Sequence, residues 1–230
     1  MTAIAALHWN WQFTWQILPS LLSGLKITVE ASLMGSGIAL VLGLAIAIVR
    51  YVGVRFIGTI LKIAIDFIRG TPLLVQLYFM FYVLPNVHLG MSPLTTGIVT
   101  LGLNYSAYTA EVYRAGLGNV PKDQWDAVRA LNLPPVRAWT RIIIPQAVRS
   151  ILPALGNYVI AMFKDSVLLS VIAVPELLNQ AQSAANVSYR YLEPMTLVGL
   201  FFLGISYPAA LLVRLVERRL AAHVGHVAAP

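Results

Sequence analysis

Uncharged apolar blocks recur along the chain, and their lengths decide which elements it forms. Residues 31–49 contain no charge, and further apolar blocks begin near positions 57, 94, 150 and 195, those at 94 and 195 also free of charge. About 20 helical residues cross the hydrocarbon layer of a bilayer. The pattern therefore predicts an all-α integral membrane protein with about five transmembrane helices, over residues 24–49, 57–84, 94–110, 150–174 and 195–213. In the first block Gly35, Ala39, Gly43 and Ala47 recur every four positions, a small-residue stripe that lets another helix pack closely. In the third, Thr100, Asn104, Tyr108 and Glu111 make one polar stripe, which in lipid has to face protein or a water-filled cavity.

Charge orients the blocks. Arg50, Arg55 and Lys62 follow the first, Arg114 to Arg149 follow the third, and Arg214, Arg218 and Arg219 follow the last. Basic loops stay on the cytoplasmic side, so the N-terminus is expected outside and the C-terminus in the cytoplasm. Residues 1–23 carry Trp9, Trp11 and Trp15 without a formal charge, which suits an interfacial segment on the lipid surface. The transmembrane domain then occupies residues 24–220, with a cytoplasmic loop at 111–149 and a C-terminal tail at 221–230. Residues 175–194, with sparse and balanced charge, suit an outer loop holding a short helix. With 58% hydrophobic and 11% charged residues in 230, the chain falls outside the soluble range. The net charge of +7 reflects those inner loops, and no basic face is left for nucleic acid.

The loop at 111–149 is the longest hydrophilic stretch. It reads as a helix from Asp123 to Leu131, a break at Asn132-Leu133-Pro134-Pro135, and an amphipathic run closed by Pro145. Within the spans, Asp66 and Arg69 sit three apart and are expected to neutralise each other, and Gly70 and Pro72 weaken the helix just beyond. Asn157, Lys164 and Asp165 lie along one face of the fourth span; charge at that depth costs a few kcal/mol by insertion scales. It marks a candidate pathway.

Absent motifs narrow the chemistry. The chain has no GxxxxGK[ST] phosphate loop, no HExxH, no GxSxG and no cysteine, and its four histidines lack metal-site spacing. It is read as a transport subunit with no metal and no cofactor of its own, whose energy comes from a partner. An ion-driven secondary carrier stays open as an alternative, as does a scaffold that holds no substrate.

The loop resembles the membrane subunits of binding-protein-dependent ABC importers, in their polar amino acid branch. Those carry an EAA loop: Glu-Ala-Ala, then three residues, then Gly, and later Ile-x-Leu-Pro. Here the matching positions are Asp126-Ala127-Val128, Asn132 and Ile142-Ile143-Ile144-Pro145. Asp replaces Glu, Val replaces Ala, and Asn replaces Gly; Asn is the residue besides Gly that readily takes a left-handed turn. The blocks 24–29, Ile68-Arg69-Gly70-Thr71-Pro72, Phe163-Lys164-Asp165-Ser166, 174–177 and 215–220 are similar to the same branch, so the resemblance covers about residues 19–220. Within it, residues 130–134 and 189–196 are most similar to permeases for ectoine and hydroxyectoine.

The resemblance implies a type I ABC importer permease in a bacterial inner membrane, paired with an identical or related permease chain. It implies two cytoplasmic ATP-binding subunits, which carry ATP and Mg, and an external solute-binding protein that delivers a small zwitterionic solute. The expected ATPase-coupling residues are Asp126, Ala127, Val128, Arg129, Asn132 and Pro145. The candidate substrate-pathway residues are Arg69, Thr71, Asn104, Tyr108, Lys164, Asp165 and Ser166.

Overall fold

The computed structural model describes residues 8–53 and 55–225. The first seven residues of the expected interfacial segment and the last five of the expected tail lie outside the described residues. Helices α1 (Trp11–Val52), α2 (Arg55–Gly70), α3 (Leu73–Tyr78), α4 (Pro93–Gly118), α5 (Lys122–Ala130), α6 (Pro135–Ala138), α7 (Ile144–Asp165), α8 (Leu177–Ser188) and α9 (Leu192–Gly225) carry the fold, with no strand among the described residues. α1 alone is about 63 Å long at 1.5 Å per residue. It absorbs the interfacial segment into one helix through Pro19, leaving Trp11 and Trp15 exposed on its first turns.

Among the described residues, three helical stretches are long and apolar enough to cross a membrane: Trp11–Val52, Pro135–Ile172 and Leu192–Leu220. The expected second span is not one straight helix. Phe56–Gly70 and Leu73–Val87 meet at 105°, because Pro72 lacks an N–H and disfavours helical geometry at Thr71. α4, the expected third span, is helical but less apolar, since Thr96, Thr100, Asn104, Ser106 and Thr109 are all buried in it. Several of these hydroxyls donate back to backbone carbonyls, Thr100 to Thr96 (2.6 Å) and Ser106 to Leu103 (2.7 Å), so their burial leaves no orphan donor. Pro145 does not close the amphipathic run. A π-turn at Trp139–Ile143 shifts the bonding to the i→i+5 register, with the Ile144 N–H on the Trp139 carbonyl, and the helix passes the proline into α7.

The chain forms two compact units, each drawn from three stretches. In the first (residues 1–37, 71–102 and 159–209), Ile17 and Leu21 of α1 pack on Leu177 and Ala181 of α8 and Val198 of α9. A Cβ on Gly24 would come within 2.9 Å of the Glu176 carbonyl group, so only glycine permits this approach. Glu176 is fully buried and caps α8, accepting from Leu178 N–H at 2.9 Å and Asn179 N–H at 2.7 Å. The Thr28 hydroxyl accepts from Leu177 N–H at 3.1 Å. At the start of α9, buried Glu193 accepts from the Asn10 N–H and from Arg190, whose guanidinium also reaches the His8 carbonyl. The expected outer loop is thus an ordered helix with two buried carboxylates.

Burial pushes the Glu176 carboxyl up to about 7, against the lowering pull of the two backbone N–H groups and Thr28. A raised folded pKa contributes stability that is complete below the unfolded value near 4.5 and is lost as pH rises through 7. The full effect is on the order of 3 kcal/mol. Glu176→Gln is therefore expected to flatten the fall of Tm between pH 5 and 8 and to be the more stable form at pH 8. An unchanged pH slope, read by circular dichroism, would contradict the assignment.

In the second unit (residues 38–70, 103–158 and 210–230), Ile65 of α2 packs on Ala107 and Ala110 of α4. The small-residue stripe is used as its spacing predicts: Gly43 lies against Thr109 and Ala110, and the Thr109 hydroxyl donates to the Ala39 carbonyl at 2.7 Å. Near the end of α1, Arg50 pairs with Glu111, which also holds Arg114 at 2.7 Å.

Candidate functional site

The loop residues form a mounted helix. α5 turns Gln124, Trp125 and Val128 inward and leaves Asp123, Asp126, Ala127, Arg129 and Ala130 exposed. Trp125 meets Trp139 edge-on at 5.5 Å between ring centroids, and Trp139 meets Tyr51 edge-on at 5.2 Å. Beneath them Val120, Ile143 and Ala147 form a buried cluster with Leu117 and Ile142. The Gln146 amide donates to Gln124 at 3.1 Å. A nine-residue helix is marginal alone; here the aromatic stack and the buried cluster hold it.

Its end is set by Asn132, at φ +47°. Asn132 N–H donates to the Arg129 carbonyl (3.0 Å) and Leu133 N–H to the Val128 carbonyl (3.2 Å), the paired bonds of a Schellman turn. Asp126 and Arg129 lie 3.6 Å apart, both largely exposed, so the pair adds little stability and is available to a partner. Val128 faces the mount and Pro145 lies half-buried in α7. Of the six expected coupling residues, Asp126, Ala127 and Arg129 share the outer face, Asn132 shapes the turn, and Val128 and Pro145 belong to the support.

The candidate pathway residues divide between the units. In the second, the Arg69 guanidinium lies over the Tyr108 ring at 5.3 Å, a cation–π contact. Among the described residues no ion pair joins it to Asp66, so the expected neutralisation is replaced by an aromatic face. Tyr158 stacks 5.6 Å from Tyr108, and Tyr105 lies 6.0 Å away, with Asn104 buried one turn back on α4. Thr71, Lys164, Asp165 and Ser166 belong to the first unit. There Thr71 accepts from the Gln76 amide at 2.7 Å, Lys164 is exposed, and Ser166 is buried with its hydroxyl on the Phe163 carbonyl. Tyr105 and Tyr158 are additions to the sequence reading. Tyr105 precedes Tyr108 by one helical turn, a signal available in the sequence; Tyr158 comes from another helix.

Residues 39–222 match the family described as the inner membrane component of binding-protein-dependent transport systems. The chain belongs to that family. The permease is 41% identical, over 89% of each chain, to a probable amino-acid ABC transporter permease protein, y4tG, of Sinorhizobium fredii (strain NBRC 101917 / NGR234). It is 34% identical to the glutamine transport system permease protein GlnP of Escherichia coli (strain K12), over 93% of the permease and 99% of GlnP. Among solved structures, a chain of an amino acid ABC transporter with histidines superposes with a TM-score of 0.87 at 35% identity, covering 93% of the permease and all of that chain. The permease thus has the type I ABC importer fold, resides in the inner membrane as a multi-pass protein, and is a transport component that works with ATPase and binding-protein partners. The exposed face of α5 carries the Asp126–Arg129 ion pair on a helix that is held from its inner side.

Proposed function

We propose that the permease carries a polar amino acid or an amino-acid-like zwitterion inward, powered by two ATP-binding subunits that hold ATP and Mg. The observation that carries the reading is α5, a helix clamped on its inner face, open on its outer face and ended by a fixed turn. The outer face, with Asp126, Ala127 and Arg129, is the surface offered to an ATPase. Closure of the ATPases on ATP moves α5 as a rigid lever and shifts the spans between outward- and inward-open states. A second permease chain, identical or related, completes the pathway, with an external binding protein delivering solute. The N-terminus lies outside and the C-terminus in the cytoplasm, as the basic loops direct.

The Arg69–Tyr108–Tyr158 cluster supplies a cation and aromatic faces suited to a carboxylate and its carbon frame. Amino-acid relatives support that cargo class. Uptake of L-glutamine and of ectoine by the reconstituted importer distinguishes an amino acid from a cyclic zwitterion. ATP-independent uptake that follows an ion gradient would overturn the reading in favour of a secondary carrier. Arg69→Gln is expected to lower uptake about tenfold to a hundredfold, the loss of a charge-assisted contact, while ATP hydrolysis by the assembled complex persists. Unchanged uptake would remove Arg69 from the pathway.

A further inference from the structure

The second unit also contains a cleft of about 430 Å³, beside the start of α5. Its size falls within the roughly 300–1,000 Å³ of small-molecule sites. Asn119 and Pro121 form one wall, between α4 and α5. Gln146, Arg149 and Pro153 of α7 form another, and Glu217 of α9 faces in with them. Arg149 and Glu217 line one cleft, yet among the described residues neither forms an ion pair with the other or with any other group. A third polar feature comes from the backbone. Pro153 has no N–H to give the carbonyl of Arg149, four residues earlier, so that oxygen lacks its regular helical donor.

An unpaired cation, an unpaired carboxylate and a spare carbonyl around one cavity complement a molecule that carries both charges. A simple anion would meet Glu217, and a simple cation would meet Arg149. We propose that this cleft is a second solute site, binding a small zwitterion of the amino-acid class with its carboxylate on Arg149 and its ammonium on Glu217. The inference rests on the amino-acid cargo reading above. It adds a place where delivered cargo acts back on the importer. Gln146, in the cleft wall, is hydrogen-bonded to Gln124 of α5 at 3.1 Å, and Pro121 starts that helix. An occupant braces both and so restrains the lever.

The test uses the full chain purified with its ATPase, titrated by calorimetry with L-glutamine, L-histidine and ectoine, and with glutaramate, which is glutamine without its ammonium. Binding of at least one zwitterion is expected to weaken about tenfold or more in Arg149→Gln, the loss of one charged partner. Glu217→Gln is expected to erase the preference for glutamine over glutaramate, an effect that a structural role would not produce. In liposomes, trapped zwitterion is expected to slow ATP-driven uptake, and the ratio of uptake with and without it should approach one in Glu217→Gln.

Binding that ignores both substitutions overturns the inference, as does failure of all three zwitterions to bind. Competition by phosphatidylglycerol vesicles would make the cleft a lipid site, and loss of ATPase co-purification with binding intact would make it an ATPase seat; either result rejects the proposal. Wild-type uptake without cleft binding defeats this inference alone. Cleft binding without uptake of any zwitterion defeats the cargo reading alone.

Discussion

Asn132→Pro is expected to abolish ATP-driven uptake while leaving the permease folded and inserted. The native turn needs φ near +47° at residue 132, and proline fixes φ near −65°. The substitution also deletes the N–H that donates to the Arg129 carbonyl. It further disfavours the helical geometry of Leu131, which sits at φ −81°, ψ 0°. Backbone strain of roughly 1–3 kcal/mol and a lost hydrogen bond of about 1 kcal/mol are enough to unseat a nine-residue helix end. They are too small and too local to unfold the long spans. The lesion falls on the lever, so uptake should drop to background while circular dichroism and membrane yield stay at wild-type level. Asn132→Gly takes the left-handed turn without penalty and should retain uptake. Asn132→Val, β-branched at positive φ, should fall between the two. Wild-type uptake by the proline variant would reject α5 as the coupling element.

How much of this was readable beforehand differs by feature, and each difference has a physical cause. Local conformational rules carried the Asn132 turn and the Gly35–Ala47 stripe, because each depends on one residue's backbone freedom or on one helix's periodicity. The helix at 122–130 was legible to within a residue for the same reason. Partner identity was not. Asp66 and Arg69 stand three apart, but Arg69 instead meets Tyr108 from another helix, and sequence spacing on one helix carries no information about a competing ring elsewhere. The 105° bend was only half readable: Gly70 and Pro72 mark a weak point, whereas the backbone rule for proline fixes no angle. Pro145 misled because the rule that proline ends a helix assumes i→i+4 bonding, and a π-turn supplies another register. Glu176 and Glu193 read only as part of the sparse, balanced charge of an outer loop. Their burial depends on α8 N–H groups and on Arg190, which become partners once the helices have formed.

Gly43→Leu is expected to produce the largest loss of stability of any single change considered. A Cβ at position 43 would stand 2.0 Å from the Thr109 hydroxyl oxygen and 3.0 Å from the Ala110 backbone nitrogen. The first contact could be relieved by turning Thr109, at the cost of its hydrogen bond to the Ala39 carbonyl. The second involves backbone, so α1 and α4 must separate. Lipid tails offer no hydrophobic reward for keeping two apolar helices together, and their association rests on close van der Waals fit. One methyl group of overpacking costs about 1–3 kcal/mol; a leucine side chain adds three more carbons to the same closed space.

Gly37 on the same helix supplies the control. Nothing lies within 4 Å of a Cβ built there, so Gly37→Leu makes the same gain in helix propensity without the clash. A lower Tm for Gly43→Leu together with an unchanged one for Gly37→Leu isolates the contact. Gly43→Ala with Thr109→Ala removes the 2.0 Å clash and keeps the 3.0 Å one, so it should be more stable than Gly43→Ala alone. Equal Tm values for the two glycine-to-leucine variants would mean that α1 and α4 do not meet at this stripe. The Arg50–Glu111 pair, farther along the same two helices, would then carry more of their association. Its own replacement, Glu111→Gln, should in that case cost more than the weak effect expected of a surface ion pair, since both side chains are largely buried.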